Sequence, residues 1–207
     1  MIFHPLLSDR IYGSFIEIED LIERLPTTKE KGDAFEDFVF CYLKILYQKY
    51  QITDVYKIND APLDLLQKYH IEKNDSGVDG IFIMSNGELC GYQVKFRTNR
   101  IKPSYGELAK FWVESKHTNY RYTIANCSSI TQLAKKQENH FEILVNEFEN
   151  LPANFFSQLY EFCTQKRITR QLYTPKDFQK SIISDVIKGF SLSDRGKYIA
   201  ACGTGKT

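Results

Sequence analysis

An acid, an amide and a lysine stand in this 207-residue sequence in an order that suits metal-assisted hydrolysis. Asp79 lies fourteen residues before Gln93, and the tripeptide Gln93-Val94-Lys95 places the amide and the amine two residues apart. Carboxylate and amide oxygens are ligands that Mg²⁺ prefers, and a lysine stabilises charge that develops on an attacked phosphate. Because a bound metal also lowers the pKa of its water, residues of these types at this spacing are suited to metal-assisted hydrolysis.

A second group of residues, at the end of the sequence, is typical of nucleotide binding. Ala200-Ala201-Cys202-Gly203-Thr204-Gly205-Lys206-Thr207 fits the phosphate-loop pattern, with alanine replacing the first glycine, and follows a predicted strand over 197–202. The loop N–H groups would surround the phosphates, Lys206 would reach the β- and γ-phosphates, and the Thr207 hydroxyl would bind Mg²⁺. Since no further motor motif follows Thr207, we expect ATP binding in a longer protein and no ATP hydrolysis by this chain.

The elements that carry the first group are predicted from hydrophobic spacing. Apolar residues over 35–46 recur at helical intervals, which predicts a helix over 33–50, after a turn at 27–32, with Asp33 at an N-cap or first-turn position. Residues 81–84 and 89–96 are predicted as two strands of a hairpin, because Asn86-Gly87 is typical of tight hairpin turns.

The length of the hairpin loop decides whether Asp79 and Gln93 share a face. A two-residue loop, Asn86-Gly87, would place Asp79 opposite Val94, whereas a three-residue loop that includes Ser85 would place it opposite Gln93. Side chains alternate between the faces of a strand, so only the longer loop puts the acid on the face of Gln93 and Lys95. We therefore predict the three-residue loop with Gly87 left-handed, or a bulge of equal effect.

The other predicted elements indicate an α/β fold, with a mixed β-sheet flanked by helices. Further helices are predicted over residues 14–25, 63–70, 105–115, 131–148, 155–166 and 180–190, and further strands over residues 55–58 and 122–127.

Together these motifs resemble the Mrr-like branch of the PD-(D/E)xK nuclease superfamily, in which glutamine replaces the second acid. Gly32-Asp33-Ala34-Phe35-Glu36 is similar to the start of that branch's first helix, and the resemblance spans about residues 30 to 130. It implies a restriction-endonuclease-like sheet and catalysis by Asp79, Gln93, Lys95 and Glu36. It also implies a Mg²⁺ or Mn²⁺ site formed by Asp79, Gln93, Glu36 and Val94. The alternative is that Asp79 caps a turn and that Gln93 and Lys95 are polar positions of an edge strand.

A change of composition near Lys166 predicts a second domain. Phe178-Gln179 resembles the Q-motif of superfamily-two helicases and translocases, which implies that Gln179 binds the adenine of ATP. We expect a nuclease domain over 1–165 and, over 166–207, a linker with the truncated start of a RecA-like motor domain. A nuclease domain followed by a helicase-type motor resembles the domain order of single-chain ATP-dependent restriction enzymes and phage-defence nuclease-helicases.

Basic residues directly after the catalytic strand indicate contact with nucleic acid. Arg97, Arg100 and Lys102 are expected to bind DNA phosphates, which would add affinity without reading sequence. Each of them is equally well explained as part of a solvated loop.

Composition narrows the class of protein. Lys+Arg number 27 against 26 Asp+Glu, and 43% of residues are hydrophobic, so the chain is expected to fold rather than remain disordered. The five cysteines and four histidines form no CxxC or HxxxH pair, which argues against a zinc site and a disulfide framework. Apolar runs are too short to span a bilayer, and we expect a cytoplasmic protein without a membrane partner.

Three functions stay open from the sequence. The first is a metal-dependent endonuclease that cuts double-stranded DNA within an ATP-driven, DNA-translocating restriction or defence enzyme. The second is a catalytically inactive nuclease-like module that binds DNA and anchors a helicase motor. The third is an RNA or repair nuclease-helicase. The sequence indicates neither the oligomeric state nor the DNA recognition site.

Overall fold

The computed structural model describes residues 3–73, 77–165 and 177–192, except for the side chains of 177–179 and 190–192. The chain divides into two compact units, Met1–Ile168 and Thr169–Thr207. In the second unit the description covers one helix, α8 (Asp177–Leu192). The elements described next belong to the first unit.

The first unit is built on a five-stranded mixed sheet with the strands in chain order. Pairing is antiparallel between strands 1, 2 and 3 and parallel between strands 3, 4 and 5. The predicted α/β fold is therefore confirmed, whereas the RecA-like elements predicted near the phosphate loop lie outside the described residues. The strands are β1 (Ile52–Lys57), β2 (Gly80–Met84), β3 (Leu89–Lys95), β4 (Tyr120–Ala125) and β5 (His140–Ile143).

Helices cover both faces of this sheet. One hydrophobic core lies beneath α1, α2, α6 and α7, and a second core lies beneath α3, α4 and α5. No helix within the described residues is long and apolar enough to cross a membrane. The helices are α1 (Phe15–Glu23), α2 (Thr28–Ile45), α3 (Leu63–Lys68), α4 (Tyr105–Glu114), α5 (Gln132–Lys135), α6 (Val145–Glu149) and α7 (Ala153–Gln165).

Aromatic packing fixes α2 on the first face of the sheet. The ring centroid of Phe38, in α2, lies 5.1 Å from that of Phe15 and 5.5 Å from that of Phe148. All three side chains are fully buried. Such pairs contribute roughly 0.5–1.5 kcal/mol each beyond the area they bury, so α2 has a defined position above the sheet.

The predicted start of α2 at Asp33 is wrong. Thr27 caps the helix, because its hydroxyl accepts the Glu30 N–H at 3.1 Å while the Glu30 carboxylate accepts the Thr27 N–H at 3.1 Å. This capping box begins the helix at Thr28, in a segment predicted as a turn. Asp33 therefore lies inside the helix, where it pairs with Lys29 at 2.7 Å. The helix also ends earlier than predicted, at Ile45.

The single helix predicted over 131–148 is also wrong, because that stretch forms α5, β5 and α6. Strand β5 pairs with β4, and the Phe141 ring stacks on Tyr122 with centroids 5.3 Å apart. Pairing between distant segments decides the structure here, and local helical spacing does not reveal it.

Candidate active site

The hairpin that carries the candidate residues has the predicted three-residue loop. The Met84 N–H donates to Glu88 O and the Gly87 N–H donates to Met84 O, both at 2.9 Å. Gly87 has φ +85°, a conformation in which glycine is favoured. The register pairs Gly80 with Tyr92, and the described pairing of the two strands ends there. The predicted three-residue loop with Gly87 left-handed is confirmed, and Asp79 and Gln93 line the same cavity.

Glycine at position 80 lets the hairpin pack against β1. A Cβ at Gly80 would overlap the Tyr92 hydroxyl and lie 2.5 Å from Tyr56 O. The Tyr92 hydroxyl crosses this gap and donates to Tyr56 O at 3.3 Å. The glycine after Asp79 is therefore required for the close approach of three strands beside the site.

All four predicted catalytic residues line one cavity. Glu36 comes from α2, Asp79 precedes β2, and Gln93 and Lys95 end β3. The cavity has a volume of about 620 Å³. Its lining consists of Asp33, Glu36, Asp37, Lys57, Ile58, Asn59, Lys73, Gly77, Val78, Asp79, Gln93 and Lys95.

Asp79 is oriented by the backbone of β3. Its Oδ2 atom accepts the Val94 N–H at 2.6 Å, and its own N–H donates to Tyr92 O at 3.0 Å. Burial raises the Asp79 pKa to about 6, although the Val94 N–H and the Lys95 ammonium both favour the ionised form. The Val94 side chain lies in the core, so the contact it makes with the acid is through its backbone.

Glu36 shares the cavity with Asp79, and the two carboxylates disfavour each other's charge. Burial and the Asp79 carboxylate raise the Glu36 pKa to about 7, whereas Lys57 and Lys95 act in the opposite direction. A cation between two such acids would stabilise both in their charged forms. The raised pKa values make the pair a candidate for binding a cation.

Gln93 contributes a buried side-chain oxygen to the same cavity. The residue is 3% exposed, and its Oε1 atom has no hydrogen-bond partner among the described residues. A buried acceptor without a partner is costly, and such exceptions call for a functional explanation. With the two carboxylates it makes three oxygen donors, the ligand type of Mg²⁺ and Mn²⁺.

The Gln93 amide would be the third donor of that set. The described part of the chain contains no group of three or more His, Cys, Asp or Glu side chains placed to hold a metal ion. An ion at this cavity would therefore use Asp79, Glu36 and the Gln93 oxygen, with water completing its coordination.

Sequence reasoning missed the buried ion pair beside these residues. Asp37 is 6% exposed, pairs with Lys57 of β1, and accepts the His4 N–H at 2.5 Å. Asp33, Glu36 and Asp37 are spaced i, i+3 and i+4, which signals a shared acidic helix face. The sequence around Lys57 does not predict its position at the cavity, because that position depends on strand pairing.

The basic loop after β3 is bound to acidic groups of the protein itself. Arg97 pairs with Glu107, while Arg100 pairs with Glu19 and Glu149. Lys102 is exposed. The two arginines predicted to contact DNA phosphates therefore have internal partners, and their DNA contacts stay a prediction.

The predicted ATP-binding residues are beyond structural description. Gly203, Thr204, Gly205, Lys206 and Thr207, and the basic stretch 166–176, lie outside the described residues. Gln179 lies in α8, and its side chain is among those not described.

Comparison with solved structures relates this fold to restriction enzymes. The chain is similar to the ATP-dependent Type ISP restriction-modification enzyme LlaBIII bound to DNA, with a TM-score of 0.59 and 21% identity. The chain shares its fold with part of a restriction enzyme. The match covers 94% of this chain and 12% of that enzyme, so this chain spans a small part of its length.

A second solved structure is less similar to this chain, and comparisons with protein families and curated proteins gave no match. The chain is also similar to the MspJI restriction endonuclease in complex with a 27-mer oligonucleotide, with a TM-score of 0.34 and 11% identity over 77% of this chain and 40% of that one. No protein-family model matches the chain, and no curated protein matches it.

Proposed function

We propose that the first unit is a metal-dependent DNA endonuclease that hydrolyses phosphodiester bonds. The observation that carries the proposal is the buried Gln93 oxygen, which has no hydrogen-bond partner among the described residues, in a cavity shared with Asp79, Glu36 and Lys95. A satisfied structural glutamine would not leave an acceptor unpaired beside two carboxylates of raised pKa. The restriction-enzyme fold supports the same function.

Each residue has a chemical role in this proposal. Mg²⁺ or Mn²⁺ would polarise the phosphate and lower the pKa of a water molecule. Asp79, fixed by the Val94 N–H, and Glu36 would hold the cation together with the Gln93 oxygen. The backbone of Val94 completes the predicted metal-site residues. Lys95, on the same strand face as Gln93, would orient the attacking water and stabilise charge on the phosphate.

We further propose that the chain belongs to an ATP-driven, DNA-translocating restriction or defence enzyme. The phosphate-loop residues of 200–207 and the fold shared with part of an ATP-dependent restriction enzyme support this. ATP would serve the complete motor, and double-stranded DNA would be the partner of both activities.

Plasmid nicking tests the nuclease. Purified protein with Mg²⁺ or Mn²⁺ is expected to nick supercoiled DNA, and Asp79→Ala, Gln93→Ala and Lys95→Ala are each expected to abolish nicking. Exposed residues supply matched controls, Asp64→Ala, Gln67→Ala and Lys116→Ala, which should nick like wild type. Nicking that survives both Asp79→Ala and Lys95→Ala would show that this cavity is not the active site.

The same assay separates the alternatives. Metal-dependent DNA binding without nicking by the wild-type protein would favour an inactive module that anchors a motor. Faster cleavage of RNA than of DNA would favour an RNA nuclease-helicase.

A further inference from the structure

The buried side chain of Asn126 continues the sheet beyond the end of β3. Its Oδ1 atom accepts the Arg97 N–H at 2.6 Å, and its Nδ2 atom donates to Arg97 O at 3.0 Å. The Asn126 N–H also donates to Lys95 O at 3.4 Å. One amide side chain thus satisfies both backbone groups of Arg97, as a neighbouring strand would.

A second layer of contacts fixes that amide. Nδ2 of Asn126 also donates to Glu19 Oε1 at 2.9 Å, and this oxygen accepts Arg100 Nε at 3.0 Å. Glu19 is 5% exposed and lies in α1. Arg100 reaches α6 as well, where its Nη1 atom donates to Glu149 Oε1 at 2.6 Å. The segment after Lys95 is therefore tied to two helices.

The backbone of this segment needs such restraint. Asn99 and Arg100 adopt φ of 56° and 55°, left-handed conformations that are unfavourable for residues other than glycine. Strained backbone conformations persist only where surrounding contacts hold them in place, and they are common at functional sites. The Asn99 N–H donates to Glu23 Oε1 at 3.0 Å, which adds a further restraint from α1.

We propose that Asn126 is a positioning residue for Lys95, acting through the backbone of residues 95–97, an inference that rests on the proposed nuclease function. Lys95 is the last residue of β3, so the strand pairing that ends there does not hold the chain beyond it. The Asn126 amide supplies the missing support on the C-terminal side. Its loss would let the Lys95 amine move relative to Asp79 and Gln93 without removing any group from the cavity.

Asn126→Leu is the direct test, because leucine keeps the approximate size and removes both hydrogen bonds to Arg97. Single-turnover cleavage with Mn²⁺ is expected to slow by roughly 10- to 100-fold, since a displacement of about 1 Å costs a catalytic group about that much. DNA affinity, measured by fluorescence anisotropy in Ca²⁺, is expected to stay within about twofold of wild type. Asn150→Leu is the control, because Asn150 is exposed and its side chain donates to Asn146 O, one turn earlier in the chain.

A paired substitution tests the hydrogen bonds rather than the volume. Asn126→Asp keeps the acceptor for the Arg97 N–H but sets a carboxylate against Glu19, so cleavage is expected to slow. Adding Glu19→Gln supplies an amide donor to that carboxylate, and the double variant is expected to cleave faster than Asn126→Asp alone. A structural role alone would predict further loss, since Glu19→Gln also weakens the contact with Arg100.

Hydrogen exchange keeps this inference separate from the nuclease proposal. Amide exchange in residues 95–98 is expected to rise at least about tenfold in Asn126→Leu, whether or not the protein cuts DNA. Unchanged exchange, wild-type cleavage by Asn126→Leu, or an equal loss of rate and DNA affinity would overturn the positioning role. If the wild-type protein cuts no nucleic acid, the proposed function fails, and the exchange result alone decides whether Asn126 holds the segment.

Discussion

Gln93→Leu is expected to make the metal-free protein more stable and the metal-bound protein less stable than wild type. Leucine has a similar size and removes the buried Oε1 acceptor, which has no partner among the described residues. An unsatisfied buried polar group costs about 1–3 kcal/mol, so we expect the free energy of unfolding to rise by about 1 kcal/mol after lost amide contacts are counted. That corresponds to a gain of roughly 2–4 °C in Tm for a chain of this size.

A bound divalent ion should make the wild-type protein more stable than Gln93→Leu, the reverse of their order without metal. An ion at one hundred times its Kd stabilises the wild-type protein by about 2.7 kcal/mol, and the variant lacks one of the three oxygen donors. Thermal unfolding followed by circular dichroism, in EDTA and in a MnCl₂ series, measures both effects. Gln67→Leu is the control, because this exposed position should change stability by less than about 0.5 kcal/mol in either condition.

One result would refute the reasoning on Gln93. A variant that is less stable than wild type in EDTA and gains the same Tm in Mn²⁺ would show that the amide is structural and holds no ion.

Three further predictions concern charge and packing around the site. Because the folded protein raises the pKa values of Glu36 from 4.5 to about 7 and of Asp79 from 3.8 to about 6, it binds protons more tightly than the unfolded chain. Its free energy of unfolding without metal should therefore fall between about pH 4 and pH 7, and urea titrations should show a weaker dependence in Glu36→Gln. Arg100→Ala should cost roughly 2–3 kcal/mol in urea unfolding, somewhat below the range for a fully buried pair because a third of Arg100 is exposed. Gly80→Ala should cost at least about 1–3 kcal/mol, measured as a lower Tm, because its Cβ would overlap a tyrosine hydroxyl and approach a backbone oxygen.

The part of the site that sequence reasoning predicts is the part that a single hairpin builds. Turn chemistry and the two-residue period of a strand are local, and they predict the loop length and the register that the hairpin adopts. Glu36 was predicted from the resemblance, although its helix begins five residues earlier than the spacing indicated. Its place depends on how α2 packs, which local spacing does not specify.

Charge was the least predictable property of the site. The acidic residues of α1 and the basic residues after Lys95 are far apart in sequence, and each group alone suggests a solvated surface. In the structure they pair, as Glu19 does with Arg100 across 81 residues. Arg97 and Arg100, which are predicted to contact DNA, therefore have acidic partners within the protein as well. Strand β5 is missed because its pairing with β4 is not a local property of the sequence.

The division of the site between a hairpin and a helix makes activity depend on completed folding. Three of the four proposed catalytic residues occupy one short stretch, 79–95, whose contacts are largely within one hairpin. Glu36 lies on α2, which the packing of Phe38 against Phe15 and Phe148 holds on the sheet, so the four residues meet only when this core is in place. In the proposed nuclease, a nascent or damaged chain would therefore carry most of the catalytic residues and still be harmless to the DNA of its own cell.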